Sequence, residues 1–171
     1  MASQFPQVLG GRYEIRDLIG RGGMAEVHLG YDTRLSRIVA IKLLRSDIAG
    51  DPTFQARFRR GAQAAAALNH PAGVAVYDSG EEELLQPGGA SRTVPYIVME
   101  YVEGPTLRDL IAAGPLSVKE ALGLVAQLLR PPGAPPRAGP VHRDLPPENV
   151  LLPSDGPVAT VAGFGLAPAV P

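Results

Sequence analysis

The sequence predicts an α+β chain, with five antiparallel strands and one helix in residues 12–102 and the opening of a helical region after them. Three observations carry this. Residues 12–44 alternate apolar and polar positions in three runs separated by turn residues. A helix start is written at Asp51, an N-cap type, with Pro52 at the first helical position. Beyond residue 103 the strand pattern gives way to two more helix starts, at Thr106 and Ser117.

The elements follow in order. RYEIRDLIG, residues 12–20, alternates through Tyr13 and Ile15; Arg21-Gly22-Gly23 turns the chain, and Val27, Leu29 and Tyr31 alternate in the next run. Two glycines between alternating runs are an ordinary hairpin signal. After residues 32–36 comes RIVAIKLL, β-branched and apolar. In the helix from Asp51, Phe54, Phe58, Ala62 and Ala65 fall at steps of four, four and three, which makes one buried face, and the pattern stops near Asn69-His70-Pro71. Two further strands are expected around Val74–Tyr77 and Val94–Tyr101, the second entered from an acidic, glycine-rich loop. Thr106 opens a short helix, and Ser117 with Glu120 forms a capping box for a longer one running to about Arg130. PPGAPPRAGP, residues 131–140, cannot be helix interior, because each internal proline costs about 3 kcal/mol. VHRDLPPENVLL recovers an apolar run in which Val150, Leu151 and Leu152 are expected to be only partly covered. The last stretch, rich in Ala, Gly, Pro and Val, shows little periodicity.

Composition narrows the function. The 171 residues carry 16 Lys+Arg against 17 Asp+Glu, so the basic surplus of a nucleic-acid binder is missing. Without cysteine there is no disulfide framework and no thiolate metal site. No apolar run approaches the roughly 20 residues of a membrane span, and the N-terminus does not read as a signal peptide. A cytoplasmic location is the expectation. Arginine outnumbers lysine 14 to 2, the lysines being Lys42 and Lys119. Of the 18 prolines, 11 fall in residues 131–171, and no Lys or Arg follows Arg143.

Two constellations carry chemistry. In Ile19-Gly20-Arg21-Gly22-Gly23-Met24-Ala25-Glu26-Val27, glycines between two strands let a ligand approach the backbone, whose N–H groups can cradle phosphate; a plain hairpin turn has the same look. Downstream, strand periodicity puts Ala40 and Lys42 on one face, with Val39 and Ile41 on the other. A small residue beside a lone lysine suits an adenine over Ala40 and phosphate oxygens at Lys42, and the competing reading is a surface lysine on an edge strand. The second constellation is Val141-His142-Arg143-Asp144-Leu145, with Asn149 five residues after Asp144. A carboxylate to accept a hydroxyl proton and an amide to hold a metal ion are what phosphoryl transfer to an alcohol requires.

In their order and spacing these residues resemble the eukaryotic-like serine/threonine protein kinases of bacteria, the actinobacterial type most closely, from about Arg12 to Pro168. The resemblance implies a protein-kinase-like fold, with a nucleotide-binding small lobe over residues 12–102 and, over 103–171, a large lobe left incomplete after the Asp-Phe-Gly position. It implies ATP and Mg2+ as cofactors, a protein substrate it cannot name, and transfer to serine or threonine. By resemblance Ile19–Val27 is the glycine-rich loop, with Ala25 at its third glycine position, and Lys42 is the phosphate-binding lysine. Met99 is the gatekeeper, Glu100–Val102 the hinge and Leu151 the floor of the adenine pocket. Asp144 is the catalytic base and Asn149 a metal ligand.

Three departures fall on chemistry. Gly61 stands where the family's first helix carries the glutamate that pairs with the lysine, and no acid follows Asp51 in that helix. Pro146 replaces the lysine two residues after the catalytic aspartate. Gly163, in Val161-Ala162-Gly163-Phe164-Gly165, takes the place of the magnesium-binding aspartate, and no Asp or Glu occurs after Asp155. Two readings follow: a kinase domain that has lost transfer, or a pseudokinase-type nucleotide-binding or interaction module.

Overall fold

The computed structural model describes residues 7–67, 73–85, 89, 91–128, 147–154 and 159–161. The chain divides into two compact units, Met1–Gln63 with Val76–Tyr101, and Ala64–Ala75 with Val102–Pro171.

The first unit is an antiparallel sheet of six strands: β1 (Val8–Leu9), β2 (Tyr13–Arg21), β3 (Ala25–Asp32), β4 (Arg37–Leu44), β5 (Val76–Leu85) and β6 (Ser91–Met99). Their order is β1-β2-β3-β4-β6-β5. Five of these are the expected strands. The sixth, β1, is made by Gly10 and Gly11, whose φ of 54° and 62° fold the chain back so that Leu9 pairs Tyr13. The expected acidic loop is strand instead: Glu81, Glu82 and Glu83 pair Pro95, Val94 and Thr93 within β5. Two of those carboxylates find donors. Arg59 Nε reaches Glu81 at 2.6 Å, and the Gly10 N–H donates to Glu82 at 2.8 Å.

Val39, Ile41 and Leu43 are fully buried, as are Leu9, Val94 and Val98, and with Tyr96 they form the core. Side chains also tie strands that are not neighbours in the sheet. The Tyr13 hydroxyl donates to Asp78 at 2.5 Å, and the Tyr96 ring passes so close to Gly10 and Gly80 that a Cβ on either would meet its hydroxyl.

Helix α1 (Pro52–Ala67) begins as expected: the Asp51 side chain accepts the Thr53 N–H at 2.7 Å and its carbonyl accepts the Gln55 N–H. Its buried side holds Phe58, Gly61 and Ala62. Burying Phe58 contributes about 2–3 kcal/mol, and the Gln55 amide ties the helix to the Thr93 carbonyl at 3.2 Å.

The second unit contains α2 (Leu107–Ala113), α3 (Val118–Leu128), a 3₁₀ turn at Pro147–Asn149, and a short sheet of β7 (Val150–Leu151) against β8 (Thr160–Val161). Both expected caps are present. Thr106 and Asp109 exchange side-chain and backbone bonds, and Ser117 and Glu120 do the same. Residues 103–105 run alongside 152–154, with Leu152 N–H to the Pro105 carbonyl and Ser154 N–H to the Glu103 carbonyl, each 2.9 Å. Gly104 makes that approach possible. Its φ is +144°, and a Cβ there would lie 2.0 Å from the Leu152 carbonyl oxygen. Leu151 and Leu152 are partly covered as expected, whereas Val150, which pairs Val161 of β8, is fully buried (1% exposed).

Candidate functional site

Register brings several of the expected positions together in the first unit. Val27 pairs Lys42, which pairs Ile97; two residues along, Leu29 pairs Ala40, which pairs Met99. Directly opposed residues in antiparallel strands share a face, and so do residues two apart. Val27, Ala40, Lys42 and Met99 therefore stand on one face, and Val39, Ile41 and Leu43 on the other. Ala40 is buried, while Val27, Lys42 and Met99 are half-buried.

The glycine segment is the β2–β3 hairpin. Gly20 pairs Val27 and Arg21 pairs Glu26, and the Gly22 N–H closes the turn on the Ala25 carbonyl at 2.8 Å. Ile19 falls at a bulge between the Leu18–His28 and Gly20–Val27 pairs and is 47% exposed. Glu26 is occupied elsewhere. Its carboxylate accepts Arg21 Nε at 2.8 Å, on the face opposite Val27.

Sequence reasoning missed what holds the tip of this turn. The Arg45 N–H donates to the Met24 carbonyl at 3.0 Å, and its guanidinium reaches the Gly23 carbonyl at 3.3 Å. Asp47 grips the same guanidinium from its other edge at 3.0 and 2.7 Å. Only an Arg-x-Asp triplet just past a strand could have hinted at it.

Lys42 is the electrostatic feature of this face. Among the described residues no carboxylate lies within ion-pairing distance of its ammonium. Burial pushes its pKa down to about 8, and no charged group of the described residues opposes that shift. Gly61, on the buried side of α1, supplies no carboxylate.

After Met99 the chain leaves β6. Glu100 and Val102 are half-buried and Tyr101 is exposed, and the boundary between the units falls between Tyr101 and Val102. In the second unit, Asn149 ends the 3₁₀ turn and is half-buried, and Leu151 bridges Thr106. Asp144, its neighbours His142, Arg143 and Pro146, and Gly163 lie outside the described residues. Among the described residues no group of three acidic, histidine or cysteine side chains could hold a metal ion, and no helix is long and apolar enough to cross a membrane.

Residues 13–171 match the family described as protein kinase domain. A probable serine/threonine-protein kinase of Streptomyces coelicolor is 52% identical over 166 residues, 96% of this chain and 24% of its own length. The serine/threonine-protein kinase PknB of Mycolicibacterium smegmatis is 49% identical over 166 residues, 96% of this chain and 26% of its own. The chain thus spans about a quarter of the length of these relatives. Among solved structures, the PknI kinase domain of Mycobacterium tuberculosis superposes with a TM-score of 0.68 at 27% identity, over 98% of this chain and 64% of that one. Rad53 in complex with AMP-PNP gives a TM-score of 0.72 at 27% identity, over 92% of this chain and 40% of that one.

Proposed function

The chain belongs to the protein kinase domain family, and from that premise we propose that it binds adenine nucleotides on the Lys42 face of its first unit while being impaired in phosphoryl transfer. Residues 12–102 serve as the nucleotide-binding small lobe, and 103–171 belong to the large lobe. The observation that carries this reading is the one-sided grouping of Val27, Ala40, Lys42 and Met99, with Lys42 lacking a carboxylate among the described residues. Val27, Ala40 and Ile19 supply apolar surface for the base, Met99 closes the inner end, and Glu100 and Val102 offer backbone groups to its edge. Gly20, Arg21, Gly22, Gly23, Met24 and Ala25 shape the turn over the phosphates. Glu26 contributes through its backbone.

The family reaction moves a phosphoryl group from ATP to a serine or threonine hydroxyl, with Asp144 as base, Lys42 as phosphate clamp and Asn149 as metal ligand. A hard dication takes several oxygen ligands, carboxylates among them. Here Asn149 offers one neutral amide oxygen, and the position that would bring the carboxylate is Gly163. The donor set does not fit magnesium in the family's manner. Three charged groups are missing at Gly61, Pro146 and Gly163, and each 1.4 kcal/mol of lost transition-state stabilisation is about tenfold in rate. The shortfall is several powers of ten.

Calorimetric titration of the full chain tests the reading. ADP and ATP should bind about equally and weakly, with little response to magnesium, and strong magnesium-dependent ATP binding would overturn it. A second reading, active transfer, is favoured by the retained spacing of Asp144 and Asn149. Phosphate incorporation that vanishes in Lys42→Met would establish it; none in either protein supports the first.

A further inference from the structure

We propose that Arg45 is a positioning residue that couples the Gly20–Val27 hairpin turn to helix α1, through the loop of residues 45–51 that joins β4 to the helix. One end of the tie is the turn itself. The Arg45 N–H and guanidinium donate to the Met24 and Gly23 carbonyls, at 3.0 and 3.3 Å, and Asp47 fixes the guanidinium from its other edge. The other end is the start of the helix, where Asp51 accepts the Thr53 N–H on its side chain and the Gln55 N–H on its carbonyl.

Between these ends the loop has little freedom. It is two successive turns, with the Ile48 N–H on the Arg45 carbonyl at 3.1 Å and the Asp51 N–H on the Ile48 carbonyl at 3.0 Å. Two further carbonyls are held by side chains from outside the loop. Arg92 of β6 donates to Ser46, and the Gln55 amide donates to Ala49 at 2.6 Å while also reaching Thr93. Ala49 is fully buried, and Ile48 packs against the core, as Met24 does at the turn. A loop pinned in this way moves with what it is pinned to, because shifting it alone breaks several hydrogen bonds at once. Helix α1 carries no acidic residue that could reach Lys42, so the tie through Arg45 is a route from turn to helix that needs no lysine–carboxylate pair. Order at the turn is thereby shared with the first turns of α1, and the sharing runs in both directions. With a nucleotide as the ligand that steadies the turn, this rests on the adenine site proposed above; the tie itself does not.

Amide hydrogen exchange of the full chain, read by mass spectrometry on peptides covering 20–27 and 53–58, tests the coupling without any ligand. The β3–β4 turn at 33–36, whose bonds run to Arg12 and Asp32, is the internal reference for global opening. Arg45→Ala should speed exchange about threefold in both peptides relative to that reference. Arg45→Lys should do the same, because an ammonium cannot span Gly23 and Asp47 together as the planar guanidinium does. Gln55→Ala, which cuts bonds at Ala49 and Thr93, should speed the distant turn about twofold, and should add nothing there once Arg45 is already alanine. Faster exchange at the turn alone in Arg45→Ala, or an unchanged turn in Gln55→Ala, would overturn the proposal. Added ADP separates the coupling from the nucleotide reading. It should slow both peptides in the parent but only the turn in Arg45→Ala, and slowing of both in that variant would overturn the route through Arg45. No slowing in the parent, alongside the shared response to Arg45→Ala, would support the coupling while the adenine site failed.

Discussion

Asp32 and Lys42 both place an ionisable side chain in the first sheet, one at the end of β3 and the other within β4, and their surroundings differ in kind. The Asp32 carboxylate is fully buried. It accepts Arg12 Nε and Nη2 at 2.8 and 2.7 Å, and the Arg34 and Leu35 N–H groups at 3.1 and 3.2 Å. The Arg12 bonds are the main reason its pKa is held at about 2. Lys42 has no carboxylate near it among the described residues, and burial alone pulls it the other way, toward its neutral form. A buried charge stays ionised where the protein supplies its counter-charge and hydrogen bonds. Asp32 is thereby a strut, clasping Arg12 at the start of β2 and the turn into β4. Lys42 is a charge whose partner the described residues do not contain.

The sharpest way to break the comparison is to remove the strut. Asp32→Ala leaves the Arg12 guanidinium and two backbone donors without their acceptor, and should cost about 3–5 kcal/mol, read from urea unfolding midpoints. The sign of its pH dependence follows from a lowered folded-state pKa. The Asp32 contribution is complete above the ordinary 3.8 and is lost as pH falls toward about 2. An acid titration of stability should show this loss in the parent and not in Asp32→Ala.

Supplying the missing partner should make Lys42 resemble Asp32. In Gly61→Glu the new carboxylate should hold the ammonium charged and raise its pKa, tightening ATP over ADP by about tenfold, or 1.4 kcal/mol, by calorimetry. Unchanged ATP/ADP selectivity in a folded variant would refute the pairing.

Removing the lysine should do the opposite of removing the aspartate. Lys42→Met deletes a charge that the described residues leave unpaired, and should raise stability at neutral pH by about 1 kcal/mol. In the parent, the folded chain releases the Lys42 proton near 8 while the unfolded chain keeps it to about 10.5, so stability should rise across that interval. The difference between parent and Lys42→Met midpoints should therefore shrink as pH rises from 8 to 10.

The smallest effect belongs to Arg45. Its pair with Asp47 is largely solvent-facing, so Arg45→Ala should cost no more than about 1 kcal/mol in stability. Loss of the guanidinium bond to the Gly23 carbonyl should weaken nucleotide binding about two- to threefold, more for ATP than for a nucleoside. Equal weakening of both would place Arg45 outside the phosphate side.

What could be read in advance was local. The hairpin at Gly22-Gly23, the shared face of Ala40 and Lys42, and the caps at Asp51, Thr106 and Ser117 all depend on residues within a few positions of one another. Strand β1 was invisible because two residues carry no period. The reach of β5 through Glu81–Glu83 was hidden because a run of carboxylates looks like solvent-exposed loop until Arg59 and the Gly10 N–H are found to receive two of them. The close approach at Gly104 involves carbonyls some 48 residues further on, and no spacing announces it.

The sequence by itself determined the order of the five longer strands of the first sheet and of the three α-helices, the capping of each helix, and the identity and order of the candidate site residues, because dihedral preference and periodicity are properties of neighbours along the chain. Tertiary structure alone decided which charges are satisfied. Arg12 meets Asp32 across 20 positions and Tyr13 meets Asp78 across 65, while Lys42 meets Val27 and Ile97 instead of an acid. These meetings are set by strand register, and a slip of one residue would turn every side chain of a strand to the opposite face.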